Sequence, residues 1–203
     1  LVPETKSCDA ILQAWYPGEE GGRAIADVLF GDYNPSGKLP VTFYKNVSQL
    51  PDFKDYSMQG RTYRYMTEDP LYCFGYGLSY TTFNIGQASV SKTVLSATNA
   101  SDNITLTIPV SNTGKRDGTE VVQVYVRRPE DLAGPRKSLR GYARVEVKAG
   151  ATENAVITLN PESFECFDEQ SNTMHPIPGK YEIYYGNSSD DNSLKCIDVT
   201  LNP

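Results

Sequence analysis

Between Ile104 and Val126 the chain alternates apolar and polar residues with a period of two. Ile104, Leu106, Ile108 and Val110 alternate with Thr105, Thr107 and Pro109, and Val122, Val124 and Val126 with Gln123 and Tyr125. Successive side chains of a strand point to opposite faces, so each run reads as a strand with one face to bury. Further strands are expected near 88–95, 139–148, 152–159, 180–186 and 195–201. Turn signals separate them at Asn112-Thr113-Gly114, Asp117-Gly118, Ala149-Gly150 and Pro178-Gly179. Seven short strands at this spacing argue for an antiparallel β-sandwich over residues 87–203, of the immunoglobulin or fibronectin type III kind.

The start of the chain follows another pattern. Ala10 to Tyr16 is a short apolar run ending at Pro17, which suits the end of a buried parallel strand. A helix is expected next, with Gly18 near its N-cap, Glu19 and Glu20 in the first turn and Gly31 at the left-handed C-terminal position. Ala24, Ile25, Val28 and Leu29 would share one face. Asn34-Pro35-Ser36-Gly37 is a turn, and Leu39 to Phe43 reads as another strand despite Pro40. One such unit cannot cover both faces of a parallel sheet. Residues 1–43 are therefore expected to be the C-terminal remnant of an α/β sandwich domain whose remainder precedes Leu1. Their apolar surface should be exposed, open to dimerisation or disorder. Residues 44–86, rich in Tyr, Gly, Pro and Asp, read as an ordered connector. The fold class is thus mainly β, a sandwich preceded by a partial α/β segment.

The net charge of −6 and the lack of a basic cluster longer than Arg127-Arg128 argue against nucleic acid as a partner. No apolar run reaches the roughly 18 residues of a membrane span. Cys8, Cys73, Cys166 and Cys196 match no zinc or redox spacing, and His175 is the single histidine, so no metal is expected. Cys166 and Cys196 could meet between strands, but four cysteines permit three pairings, and free thiols are the expectation. Sequons stand at Asn46, Asn99, Asn103 and Asn187.

Three blocks carry a family resemblance. They are Gly18-Glu19-Glu20-Gly21-Gly22 running on through Gly31-Asp32-Tyr33-Asn34-Pro35-Ser36-Gly37 to Phe43, then Tyr72-Cys73-Phe74-Gly75-Tyr76-Gly77-Leu78-Ser79-Tyr80-Thr81-Thr82-Phe83, and Val110 to Val126 with Leu139-Arg140-Gly141-Tyr142. In this order they resemble the C-terminal part of glycoside hydrolase family 3, ending in its fibronectin type III-like domain. Cys73 departs from the family, which often carries proline there. Arg61-Thr62-Tyr63-Arg64-Tyr65 is more like the β-xylosidase and arabinosidase branch than a typical β-glucosidase. The resemblance implies a retaining β-glycosidase cleaving terminal β-xylosyl or β-glucosyl residues with two carboxyl groups, both upstream of Gly18. It implies upstream catalytic domains of the same polypeptide as partners, an oligosaccharide or aryl glycoside as substrate, no cofactor, and a secreted or periplasmic location. This chain alone is then expected to be inactive.

The carboxylates present are weak catalytic candidates. Glu19 and Glu20 would point about 100° apart on a helix and so would not converge on one bond. Asp190-Asp191 and Glu68-Asp69 read as solvated loop charges, and His175 as a loop histidine. Arg61, Tyr63 and Arg64 are the substrate-adjacent candidates, since a guanidinium fork and a phenol can hold sugar hydroxyls. The competing reading is that they pin the connector to the sandwich. Phe74, Tyr76, Tyr80 and Phe83 could form a sugar platform or seal an interdomain seam, with Gly75 and Gly77 allowing close backbone approach or positive φ. A non-catalytic carbohydrate-binding module and a purely structural interaction domain are the alternatives to the glycosidase reading.

Overall fold

A computed structural model describes residues 7–99 and 101–203. Among these residues eleven strands follow one helix and a short helical turn: α1 Gly21–Phe30, α2 Thr62–Tyr65, β1 Phe83–Ile85, β2 Ser89–Val90, β3 Val94–Ser96, β4 Ile104–Asn112, β5 Gly118–Arg127, β6 Ser138–Val147, β7 Thr152–Leu159, β8 Glu165–Asp168, β9 Thr173–Pro176, β10 Gly179–Gly186 and β11 Lys195–Asn202. One sheet has the order β3-β11-β10-β5-β6, and the other is built on β4, which pairs with β1, β2 and β7. Every pairing is antiparallel except β3 with β11. A small β8–β9 hairpin stands apart from both sheets.

The alternation works as expected in β4, whose even-numbered residues from Ile104 to Asn112 are buried while the odd ones are half-exposed. Ile104, Leu106, Ile108 and Val110 meet Val122, Val124, Tyr181, Ile183, Val199 and Leu201 in a single core between the sheets. Each such side chain contributes about 1.5–3 kcal/mol of burial. β5 departs from the alternation: Gln123 and Tyr125, on the face away from the core, are buried as well. Something covers that outer face, and it is the connector.

The α/β segment is less regular than its sequence pattern. Residues 10–16 form no strand and are mostly exposed, because no described residue offers them a strand edge to pair with. Leu39 to Phe43 is not a strand either. It exchanges backbone bonds with 72–76 (Leu39 N to Tyr76 O 2.8 Å, Gly75 N to Leu39 O 2.7 Å, Phe43 N to Tyr72 O 2.9 Å), but only Phe43 and Tyr72 form a bridge. Pro40 has no N–H to give such a ladder. The helix begins later than expected, with Glu20 as its N-cap and Glu19 before it, so neither glutamate lies in the first turn. Its C-terminus matches the expectation, with Gly31 at φ 82° and its N–H on the Val28 carbonyl. The 88–95 strand divides into β2 and β3, while β1 and the β8–β9 hairpin are additions to the expected set. His175 lies in β9 and not in a loop.

Candidate functional site

Lys38, directly after the Asn34-Pro35-Ser36-Gly37 turn, reaches the sandwich. Its Nζ lies 2.7 Å from Glu120 Oε1, with the two side chains only 12% and 5% exposed. The same ammonium donates to the Gly77 carbonyl at 2.9 Å. Glu120 also accepts from the Val121 N–H and from Asn187 Nδ2. A charge pair this buried survives because further hydrogen bonds to both partners offset their desolvation. Three segments, the α/β segment, the aromatic block and β5, thus meet at one ion pair.

The turn itself is held in the same way. Asn34 donates from Nδ2 to the Asp117 carbonyl and accepts through Oδ1 from Ser79 Oγ and Tyr80 N. The end of α1 would leave carbonyls unpaired. Tyr80 Oη donates to Val28 O, and Arg116 donates to Gly31 O while lying over the Tyr80 ring. Arg144 completes the seam with a bond to Ser36 Oγ.

The aromatic block covers β5. Gly75, at φ 80°, approaches Gln123 so closely that a Cβ there would lie 2.0 Å from Oε1. Gln123 donates to the carbonyls of Gly75 and Asn187 and accepts from Tyr125 Oη at 2.6 Å. Burial pushes the Tyr125 phenol well above its ordinary range. A Cβ on Gly77 would meet the Gly37 carbonyl at 2.1 Å, so both glycines permit close backbone approach. Phe74 stacks on Tyr63 with centroids 4.4 Å apart, and Tyr72 stacks on Tyr76 at 5.4 Å. Trp15 and Phe43 extend that second row towards the exposed face of the α/β segment.

Arg61, Tyr63 and Arg64 lie around α2, and the structure separates their roles. Arg61 bonds to the carbonyls of Ser57 and Asp55 within its own loop. Tyr63 accepts through Oη from Leu139 N at 3.0 Å, donates from its backbone N to Thr42 Oγ1, and rests edge-on against Tyr125. Both therefore hold the connector in place. Arg64 accepts through its carbonyl from Arg136 N, and its guanidinium lies over Tyr65. Its buried Nε has no hydrogen-bond partner among the described residues. Between these residues Thr62 adopts φ 56°, an outlier for a β-branched side chain that costs about 1–3 kcal/mol. The Tyr44 hydroxyl, accepting from Thr62 N at 3.0 Å, helps to hold it there.

Beside this seam Arg136 and Lys137 both hold Asp191, which is therefore an ion-pair partner and not a free loop charge. Arg127, Arg136, Lys137, Tyr184 and Asp191 line an open cleft of about 230 Å³. Asp190 bonds locally to Asn192 and accepts from Ser193 Oγ through its carbonyl, and Glu68 accepts from Gln49 Nε2. Asp55, Asp102 and Asp168 are held below the ordinary carboxyl range by hydrogen bonds, the direction opposite to that of a general acid. All four cysteines are free thiols, and burial raises Cys73, Cys166 and Cys196. Among the described residues no group of three or more His, Cys, Asp or Glu could hold a metal ion, and no helix is long and apolar enough to cross a membrane.

Sequence reasoning missed Lys38, Glu120, Asn34 and Gln123. Each acts across a long sequence separation, and Gln123 occupies the polar position of an alternating strand, where solvent is the ordinary neighbour.

A fibronectin type III-like sandwich, with one face sealed by an aromatic connector that anchors the end of an α/β segment, defines a multidomain class of protein. Residues 1–80 match the glycosyl hydrolase family 3 C-terminal domain and residues 120–189 the fibronectin type III-like domain. The chain belongs to glycoside hydrolase family 3, as its C-terminal portion. It is 58% identical over 201 residues to a xylan 1,4-beta-xylosidase of Xylanibacter ruminicola, covering 99% of this chain and 23% of that protein. It is 38% identical over 199 residues to a periplasmic beta-glucosidase of Salmonella typhimurium, covering 92% and 26%. The structure superposes on a β-glucosidase from Erythrobacter marinus with a TM-score of 0.81 at 39% identity, over 98% of this chain and 26% of that one. The chain thus spans about a quarter of the length of these relatives.

Proposed function

We propose that this chain is the structural C-terminal arm of a retaining β-glycosidase that removes terminal β-xylosyl or β-glucosyl residues, and that it is inactive alone. The nucleophile and the acid would both come from upstream domains of the same polypeptide, because a retaining mechanism needs two carboxyl groups about 5–5.5 Å apart. The observation that carries the reading is the asymmetry of the α/β segment. One side is locked to the sandwich through Lys38, Asn34 and Tyr80, while Tyr16 and Phe30 of the segment, joined by Phe53 and Tyr56 of the connector, stand 100%, 85%, 93% and 90% exposed. A surface so apolar beside a rigid seam suits docking against a catalytic domain. Self-association of the isolated chain through the same surface would be its by-product.

A β-xyloside is the favoured substrate, on the strength of the similarity to the Xylanibacter protein. A secreted or periplasmic location is in keeping with the name of the Salmonella relative. Arg64 is the favoured substrate-facing residue, since Arg61 and Tyr63 are occupied in holding the connector. The test is to compare release of nitrophenol from aryl β-xyloside and aryl β-glucoside by the enzyme rebuilt from this chain and its upstream polypeptide. Faster release from the xyloside, with Arg64→Ala raising KM more than it lowers kcat, supports the reading. Faster release from the glucoside overturns the xyloside assignment, and an unchanged KM removes Arg64 from the site. Sugar affinity in the isolated chain would favour a binding module instead.

A further inference from the structure

Three buried polar atoms without a partner belong to residues that line one small cavity. Arg128 Nε, Ser138 Oγ and Arg140 Nε have no hydrogen-bond partner among the described residues. All three residues line a single cavity of about 20 Å³ between the ends of β5 and β6, the start of β8, and Tyr181 of β10. Ser138 is only 7% exposed. Native interiors seldom leave such polar atoms unpaired, and three in one place point to a shared partner.

We propose that this cavity binds one long-lived water molecule that ties the segment between β5 and β6 to the start of β6, beside the β8–β9 hairpin. Size decides first. A cavity needs roughly 10–15 Å³ to hold a water, so this one admits a single water and excludes acetate, phosphate or a sugar hydroxymethyl group. Charge decides between water and a halide. Arg128 and Arg140 are among the lining residues, but so are Asp131 and Glu165, and these formal charges cancel. A neutral ligand therefore fits better than an anion. Hydrogen-bond capacity agrees with this. The water oxygen accepts from both Nε–H groups, one hydrogen goes to Ser138 Oγ, and the other is left for the Asp131 carboxylate. A halide could use the donors but would face that carboxylate. The neighbouring contacts keep the frame rigid: Arg140 donates to the Glu165 carbonyl at 2.8 Å, Asp131 accepts from Gly134 N at 2.8 Å, and Tyr181 donates to the Ile177 carbonyl at 2.7 Å.

The test is water-to-protein magnetisation transfer in nuclear magnetic resonance, read at the two arginine Nε–H signals of the full chain. The expected result is a direct cross-peak at both, with the sign of a water held longer than the molecule tumbles. Both should fall to baseline in Ser138→Val, which fills the space with methyl groups. Visible Nε–H signals without a water cross-peak in the unmodified chain would overturn the proposal, whether or not the variant folds. Movement of both signals when chloride is replaced by bromide would overturn it in favour of a halide.

Discussion

Lys38 and Glu120, 2.7 Å apart and nearly excluded from water, tie the end of the α/β segment to the second long strand of the sandwich. Removing one partner leaves the other as an uncompensated buried charge, at a cost of about 3–5 kcal/mol. Lys38→Met and Glu120→Leu should each lower stability in urea by that order. The double variant should recover part of the loss, because no unpaired buried charge remains, while the Gly77 carbonyl, the Val121 N–H and the Asn187 amide still lose a partner. Purely additive losses in the double-mutant cycle would mean that the two residues act independently.

Gly75→Ala should destabilise for two separable reasons. The left-handed backbone costs an alanine about 1–2 kcal/mol. The added methyl must displace Gln123 Oε1 from 2.0 Å, and leaving that buried amide unpaired costs about 1–3 kcal/mol more. Gly150→Ala, at φ 75° with nothing within 4 Å of its Cβ, isolates the backbone contribution. Equal thermal shifts in the two variants would remove the Gln123 contact from the account.

Stability should collapse in alkali. Burial, with help from the Glu182 hydrogen bond, pushes Tyr184 from an ordinary 10.0 up to about 12, and burial raises Tyr125 and Tyr181 further. A group whose pKa is raised on folding contributes fully below its unfolded value and loses that contribution as pH rises towards the folded one. The loss should therefore begin near pH 10 and deepen through 12, with phenolate absorbance rising together with unfolding. Smooth titration of all tyrosines in a still-folded chain would contradict this.

Leu29→Asp and Phe30→Asp probe the exposed end of α1, where these side chains are 65% and 85% exposed. Surface changes of this kind alter the stability of the isolated chain by no more than about 0.5 kcal/mol. Association with the upstream polypeptide should weaken at least tenfold, measured by titration calorimetry. Unchanged affinity would place the docking surface elsewhere.

The sandwich was legible because strand alternation is local: Ile104 to Val110 states its own buried face. The seam was not, because it depends on residues whose partners lie far along the chain. Lys38 reads as an ordinary surface lysine until Glu120, in β5, comes opposite it. The apolar run Ala10 to Tyr16 has strand composition, yet a strand also needs a neighbour, and composition cannot supply one. Arg61, Tyr63 and Arg64 were found by residue type alone. Their division into two anchors and one incompletely bonded guanidinium required the bonds of Tyr63 to Leu139 and of Arg61 to Asp55.

The central claim is that this chain braces a catalytic site it does not contain. The most direct measurement is nitrophenol release from an aryl β-xyloside by the purified chain at high concentration, before and after adding the upstream polypeptide. The account predicts no release by the chain alone and release on mixing. Turnover by the chain alone would contradict it and would place both catalytic carboxylates within these residues.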